Sequence, residues 1–394
     1  MKLLINIIVL VWIVISFGCS EPAKYNLVIS NVGLFDGEID RGIVNVAVSA
    51  DTIATITTQA LSGDSIIDGT GKYIIPGMVN AHVHASSPEE LKASYSYGIL
   101  ANLNMHTGFE QRELQWKKMS MDSPGFPLFY GAGYAATVPN GHPTQFSPNM
   151  ETITDSISVQ KWVDNRIANG ADYIKIIREN HPWMQFPAQP TLSYDLIRQI
   201  IVYSHGKGYM VVVHATQAKD FVEIAKFKPD GFVHMWDFKA NSDLSENDYQ
   251  TIANSGVFII PTAGFSLKAS EQNLLPAMKE WIAENMLSLD ERRDVVRKLH
   301  EHGIVIVAGT DAQVDQMNFG DDYYYELEIY KQAGLTNEEI LRTATGNPAK
   351  AFDIPIGLIK EGSKANMVLL AGDPLKNLEN LKRVEQVWKK GKTN

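Results

Sequence analysis

The sequence predicts an α/β protein that combines a (β/α)8 TIM barrel with a small β-sandwich domain formed by its N- and C-terminal segments. Three observations lead to this prediction. Short apolar strands alternate with amphipathic helical stretches through the middle of the chain. β-Branched segments lie at both ends, and 394 residues are more than one hydrophobic core normally holds.

The middle of the chain contains eight predicted strands. They cover residues 74–80, 99–103, 128–131, 173–177, 210–214, 231–234, 257–261 and 304–308. Eight strand–helix units within about 250 residues are typical of a closed parallel barrel. An open doubly wound sheet is the alternative, but no Gly-x-Gly-x-x-Gly fingerprint follows an early strand to favour it.

The two ends of the chain carry segments of a different kind, which are rich in β-branched residues and broken by Gly, Asp and Asn. They cover residues 25–32, 42–48, 52–57, 65–68, 366–370 and 384–388. We therefore expect the small β-domain to comprise residues 20–72 and 356–394, and the barrel to comprise residues 73–355.

The first nineteen residues have the pattern of an export signal. Lys2 precedes an apolar run, and Cys19 follows it. The run is too short to be a typical membrane-spanning helix. It resembles a bacterial lipoprotein signal, which implies lipidation of Cys19 and anchoring to a membrane of a bacterial cell envelope, at the periplasm or the cell surface. A plain signal peptide with an incidental cysteine is the alternative.

The composition restricts the class of partner. The formal net charge is −10 and no basic run stands out, which argues against nucleic acid as a partner. An apolar fraction of 45% and a charged fraction of 20% are ordinary for a globular enzyme with a small-molecule substrate. The composition carries no signal for an oligomeric state.

Chemically active residues stand at the ends of five predicted barrel strands. His82 and His84 end the first strand, and side chains two positions apart on a strand point to the same side. Four further strand ends carry candidate ligands: Lys175, His214, His234 and Asp311. One histidine at a strand end is more often a core residue. Candidate ligand residues at five strand ends together predict an active site, because barrel enzymes carry their catalytic groups at the carboxyl ends of the strands.

This order of residues resembles the two-metal branch of the amidohydrolase superfamily, in particular its prolidase-like and imidazolonepropionase-like members. Residues 25–37, 343–350 and 362–374 also resemble conserved segments of that family. Asn80 and Asn366 stand where many relatives carry Asp, and the second predicted strand lacks the usual threonines.

The resemblance implies a site for two divalent cations. His82, His84 and Asp311 would bind one ion, and His214 and His234 would bind the other. Imidazole and hard oxygen ligands suit Zn²⁺, with manganese, iron and cobalt as alternatives.

The resemblance also implies that Lys175 bridges the two ions as an N6-carboxylated lysine. A free ammonium group has no lone pair with which to bind a metal, whereas a carbamate offers two anionic oxygens. An unmodified Lys175 that pairs with an acid, beside a single ion, is the alternative.

The activity implied by the resemblance is hydrolysis of carbon–nitrogen bonds. Amide or peptide-like substrates such as dipeptides and N-acyl amino acids would be attacked by a hydroxide that bridges the metals, with Asp311 as the catalytic proton carrier. One alternative is a mononuclear deaminase or cyclic amide hydrolase, which does not need Lys175. Another is a lactonase or phosphotriesterase-like hydrolase. A noncatalytic binding lipoprotein would need none of these residues.

Substrate contacts are expected in the loops that follow the barrel strands. The candidates are His142, Arg178, His181 and Trp236. Arg178 is expected to bind a carboxylate group of the substrate, and a structural ion pair within the protein is the alternative. Trp236 lines the pocket or, alternatively, packs the top of the barrel.

Overall fold

The computed structural model describes residues 24–182, 187–265, 275–313 and 317–393. The predicted signal segment and its Cys19 lie outside these residues. Within them, no helix combines the length and the apolar character needed to cross a membrane.

Strands are spread over the whole described part of the chain. They are β1 Lys24–Phe35, β2 Asp40–Ser49, β3 Thr52–Thr57, β4 Ser62–Asp68, β5 Tyr73–Pro76, β6 Met78–His84, β7 Ile99–Asn104, β8 Leu128–Gly131, β9 Ile174–Arg178, β10 Val211–Ala215, β11 Gly231–Val233, β12 Phe258–Ile260, β13 Val305–Ile306, β14 Ala312–Gln313, β15 Met367–Leu370 and β16 Val384–Trp388.

Helices follow most of the central strands. They are α1 Pro88–Tyr95, α2 Glu110–Asp122, α3 Val159–Ala168, α4 Tyr194–Gly206, α5 Ala218–Ala225, α6 Glu246–Ser255, α7 Pro276–Asn285, α8 Leu289–Glu301, α9 Asp321–Gln332, α10 Asn337–Ala344 and α11 Gly346–Ala351. Several begin where a Ser or Thr hydroxyl accepts a hydrogen bond from a free backbone N–H of the first turn. These caps are Ser87, Ser158, Ser193, Ser245, Ser288 and Thr336.

One mixed sheet unites the two ends of the chain. Its order among the described strands is β16-β15-β5-β1-β2-β3, and β4 pairs with β1. The C-terminal strand β15 lies antiparallel to β5, with Val368 opposite Ile75, so the last part of the chain pairs with the first. Alternate apolar side chains of this sheet, with Trp388, form a core of their own.

The central strands form two parallel sheets. The described strands of one are ordered β13-β12-β11-β10-β9, and those of the other β14-β6-β7-β8. The two sheets are hydrogen-bonded at both edges. Ala136, after β8, pairs with Ile176 of β9, and Ala81 N of β6 donates to Ala308 O after β13 at 3.0 Å. Because all these strands run in one direction, their carboxyl ends lie on the same side.

A buried lysine ties the C-terminal segment to helix α2. The Lys389 ammonium donates to the main-chain carbonyls of Ser120, Ser123 and Phe126, at 2.9 Å for Ser123. The last carbonyls of a helix have no partner within the helix, and a cation there also interacts favourably with the helix dipole. Lys389 therefore stabilises the end of α2 from a distant part of the chain.

We expect the substitution Lys389→Met to lower the free energy of unfolding by about 3 kcal/mol, because buried carbonyls lose a charged donor. Urea unfolding followed by circular dichroism measures the change. Lys392→Met, at a neighbouring exposed lysine, is the control and should change stability by less than about 0.5 kcal/mol. Equal stability of the two variants would contradict the capping role of Lys389.

Candidate functional site

Three of the predicted ligands meet where the first and last central strands touch. His82 and His84 end β6, and Asp311 lies between β13 and β14, where its backbone N–H donates to His82 O at 2.9 Å. The approach is close, because a Cβ on Gly309 would come within 2.8 Å of the His82 nitrogen. Asp311 itself has a left-handed backbone, with φ of 61°.

The ligand atoms of these three residues converge. His82 Nε2 lies 3.3 Å from His84 Nε2, and Asp311 Oδ1 lies 3.2 and 3.1 Å from the two nitrogens. Two ligands of one tetrahedral ion, each about 2.1 Å from it, lie about 3.4 Å apart. Burial lowers the pKa of His82 to about 3, although Asp311 opposes this shift, so the ring is in the neutral form that binds metals. The three residues therefore fit a divalent cation.

His214 and His234 continue this cluster on the neighbouring sheet. The ring centroids of His234 and His82 lie 4.6 Å apart, and those of His214 and His234 lie 4.5 Å apart. The backbone of His234 is left-handed, with φ of 85°, and its Nδ1 atom lies 2.7 Å from the hydroxyl of Thr262. Four histidines from three strands thus lie side by side.

Lys175 is buried beneath this cluster on β9. It lies on the same face of the strand as Ile177, which is paired with His214. Burial lowers the pKa of Lys175 to about 7, although the Asp311 carboxylate opposes this shift. The charge of Lys175 in turn lowers the pKa of four histidines of the site: His82, His106, His142 and His234. Burial therefore disfavours the charged ammonium form of Lys175.

Asn80 fixes the strand that carries the first histidines. Its amide nitrogen donates to Thr310 Oγ1 at 2.9 Å, and its amide oxygen accepts from Thr310 N at 3.1 Å. Both residues are buried. The amide supplies the donor and the acceptor that this pairing uses, which gives a physical reason for Asn at this position.

Two residues of the site were not predicted from the sequence. His106, just after β7, has Nε2 at 3.0 Å from Ser147 Oγ, and its carbonyl oxygen lies 3.4 Å from His84 Nδ1. Glu179, just after β9, lies 3.3 Å from His214 Nε2 through its Oε2 atom. Burial raises the pKa of Glu179, but hydrogen bonds from His214 and other groups outweigh it and hold the pKa below its ordinary value. Both residues follow an apolar strand, a signal that could have identified them.

Two of the predicted substrate residues lie at the rim of the cluster. The ring of His142 is 5.6 Å from that of His214, and burial lowers its pKa below the ordinary value. His181 stacks on Phe238 with centroids 3.7 Å apart and planes within 11° of parallel. This stack joins the loop after β9 to the loop after β11.

Arg178 and Trp236 make other contacts than those expected of substrate residues. The guanidinium of Arg178 lies 3.3 Å from the buried carboxylate of Asp220 and also donates to Leu192 O. The fully buried Trp236 packs edge-on against Phe221, with centroids 5.3 Å apart. Arg178 is three positions from Lys175 on β9 and therefore points to the opposite face. Arg178 therefore forms the structural ion pair that was the alternative to a substrate contact, and Trp236 packs in the core.

The chain as a whole is similar to several known proteins. A family model described as "Amidohydrolase family" matches residues 73–393. The 5-methylthioadenosine/S-adenosylhomocysteine deaminase of Thermoanaerobacter pseudethanolicus is 22% identical over 384 aligned positions, which cover 88% of this chain and 85% of the relative. The imidazolonepropionase of Alkaliphilus oremlandii is 24% identical over 414 positions, covering 90% and 91%.

Among solved structures, the crystal structure of a Xaa-Pro dipeptidase with methionine bound in its active site is similar in fold. The TM-score is 0.79 at 20% sequence identity, and the match covers 93% of this chain and 99% of the other. At this level of identity, the likeness concerns the fold alone.

Proposed function

This chain belongs to the amidohydrolase family, and from that premise we propose that it is a metal-dependent hydrolase of carbon–nitrogen bonds in amide or peptide-like substrates. Dipeptides and N-acyl amino acids are the first candidates. The observation that carries the proposal is the convergence of His82, His84 and Asp311 within 3.3 Å of one another.

We also propose a two-domain architecture for this chain. Residues 73–355 would form a closed (β/α)8 barrel, and residues 20–72 with 356–394 would form the small β-sandwich domain. The hydrogen bonds at both edges of the two parallel sheets support closure. The mixed sheet built from both ends of the chain supports the second domain.

The site would hold two Zn²⁺ ions. His82, His84 and Asp311 would bind one ion and His214 with His234 the other. When bound, divalent ions polarise a scissile carbonyl and lower the pKa of water toward about 7. Neutral imidazoles and a buried carboxylate suit this role.

Lys175 would join the two halves of the site after reaction with carbon dioxide. The amine nitrogen forms a bond to the carbon of CO2 and releases one proton, which yields an anionic carbamate with two oxygens. Burial beside the ligand histidines supports this modification, because it disfavours a lone ammonium there.

Proton transfer would fall to Asp311. Its carboxylate, beside the bound substrate, would accept the proton of the attacking water and return it to the leaving nitrogen. His142 and His181 at the rim would contact the substrate. The carboxylate of a dipeptide would need a partner other than Arg178, whose guanidinium is engaged by Asp220.

A mononuclear deaminase is the second candidate, because several relatives of similar coverage carry deaminase names. Such an enzyme would use the first three ligands and would not depend on Lys175. Lactone and phosphotriester hydrolysis are further alternatives, since an activated water attacks acyl and phosphoryl centres alike.

We expect purified protein to bind about two zinc ions per chain, and Lys175→Ala to bind about one, because the bridging ligand is lost. Inductively coupled plasma mass spectrometry measures the metal. In wild-type protein supplied with ¹³C-labelled bicarbonate, a carbamate carbon signal should appear and should be absent in Lys175→Ala. Lys219→Ala, at an exposed lysine of α5, is the control. One ion in wild type and variant alike would favour the mononuclear deaminase.

We expect a substrate screen to detect hydrolysis of amides in the presence of zinc or manganese. The panel holds N-acyl amino acids, Xaa-Pro, Xaa-Arg and Xaa-Lys dipeptides, adenosine derivatives, lactones and phosphotriesters. Asp311→Asn should retain metal and lose at least about 100-fold in kcat, because a general acid–base group is removed. Turnover confined to lactones, phosphotriesters or deamination would reject the amide proposal, and normal turnover of Asp311→Asn would remove Asp311 from the proton path.

We further propose that the protein is exported to a bacterial cell envelope, loses its first residues and is anchored in the membrane through a lipid on Cys19. The apolar run before Cys19 supports this. Membrane fractionation of expressing cells should recover the wild type with membranes and Cys19→Ser in the soluble fraction. Identical fractionation of the two would reject the anchor.

A further inference from the structure

Glu179, just after β9, makes several hydrogen bonds beside the histidine cluster. Its Oε2 atom lies 3.3 Å from His214 Nε2 and accepts a hydrogen bond from Thr216 Oγ1 at 2.6 Å. Its Oε1 atom accepts from His181 N at 3.1 Å, and its own backbone N–H donates to Thr191 Oγ1 at 3.2 Å. The carboxylate is thus held in one orientation before His214 is considered.

When the His214 ring is neutral, its contact with Glu179 selects the nitrogen that carries the proton. An ionised carboxylate accepts hydrogen bonds and donates none, so His214 Nε2 must be the N–H donor of the pair. A neutral imidazole carries one proton, and Nδ1 is therefore the nitrogen with the free lone pair. Among the described residues, His214 Nδ1 has no hydrogen-bond partner.

We propose that Glu179 is a positioning residue that holds His214 as its Nε2–H tautomer and so presents Nδ1 to a cation. The tautomer can be measured in metal-free protein. The binding of a cation at Nδ1 depends on the metal-dependent hydrolase function proposed above.

His234 offers a comparison, because its ring contacts a hydroxyl group and not a carboxylate. His234 is held through its Nδ1 atom by the hydroxyl of Thr262, at 2.7 Å. A hydroxyl both donates and accepts, so this contact orients the ring and leaves either tautomer possible. The carboxylate of Glu179 removes that freedom for His214. Partners of this kind also raise the basicity of the ligating nitrogen, and their loss typically weakens metal binding about 10- to 100-fold.

The first test measures the tautomer in metal-free protein labelled with ¹⁵N-histidine. The signal of His214 is assigned by its loss in His214→Asn. We expect the Nε2-protonated pattern in wild type and a mixture of tautomers in Glu179→Leu. Glu179→Gln keeps the shape and one acceptor, so it should lie between the two. A wild-type His214 protonated at Nδ1, or unchanged shifts in Glu179→Leu, would overturn the proposal.

The second test measures zinc affinity by competition with a chelating dye. In Glu179→Leu, the affinity for the ion held by His214 should fall about 10- to 100-fold, whereas the ion held by His82 and His84 should bind as in wild type. Zinc added to wild type should shift the Nδ1 signal of His214. Equal affinities in wild type and Glu179→Leu, or a shift at Nε2, would overturn the proposal.

Two further variants separate positioning from stability. Thr216→Val removes one donor to Glu179 and should produce a smaller change of the same kind. Ile252→Val, in the buried face of α6, lowers stability by about 1 kcal/mol and should leave tautomer and affinity unchanged. If Ile252→Val weakens zinc binding as much as Glu179→Leu does, the role of Glu179 is structural. If wild type binds no zinc, the proposed hydrolase function fails, and the tautomer measurement still decides the role of Glu179.

Discussion

The candidate site depends on one backbone hydrogen bond, from Asp311 N to His82 O, at 2.9 Å. It connects the first central strand, β6, to the segment between β13 and β14, so the two parallel sheets meet at this point. Gly309 permits the close approach, and Asn80 with Thr310 holds the same pair of segments by side chains. The ligand atoms of His82, His84 and Asp311 converge because their backbones are joined here.

Three residues of the candidate site have a strained backbone, as do residues elsewhere in the described chain. His234, Thr262 and Asp311 all have positive φ, at 85°, 48° and 61°. Left-handed backbone costs a non-glycine residue of order 1 kcal/mol or more and persists where surrounding contacts enforce it. In each case the residue stands at the end of a central strand and its side chain faces the histidine cluster. At these three positions the surrounding contacts therefore hold an unfavourable backbone that directs a side chain to the site.

Strand ends are visible in the sequence, and the structure brings the side chains of His82, His84 and Asp311 together at such ends. The motif order also identified the family, and the family comparison confirms that assignment. The predicted strand at 304–308 is shorter in the structure, where β13 spans Val305–Ile306. Val307 N still donates to Ile259 O of β12, and the chain is hydrogen-bonded to β6 from Ala308 onward. The outward direction of Arg178 follows from simple alternation with Lys175. The burial of Trp236 does not, because the left-handed His234 breaks the alternation before it.

The pairing of β5 with β15 has a consequence for how the chain is made. The central strand of the mixed sheet receives its neighbour only after almost the whole polypeptide has been synthesised. Contacts between such distant segments form late, because a long loop must close first. Until then β5 presents an unpaired edge, the kind of surface on which chains aggregate. A chain truncated before residue 367 would lack β15, and its unpaired β5 edge would favour association with other copies of itself.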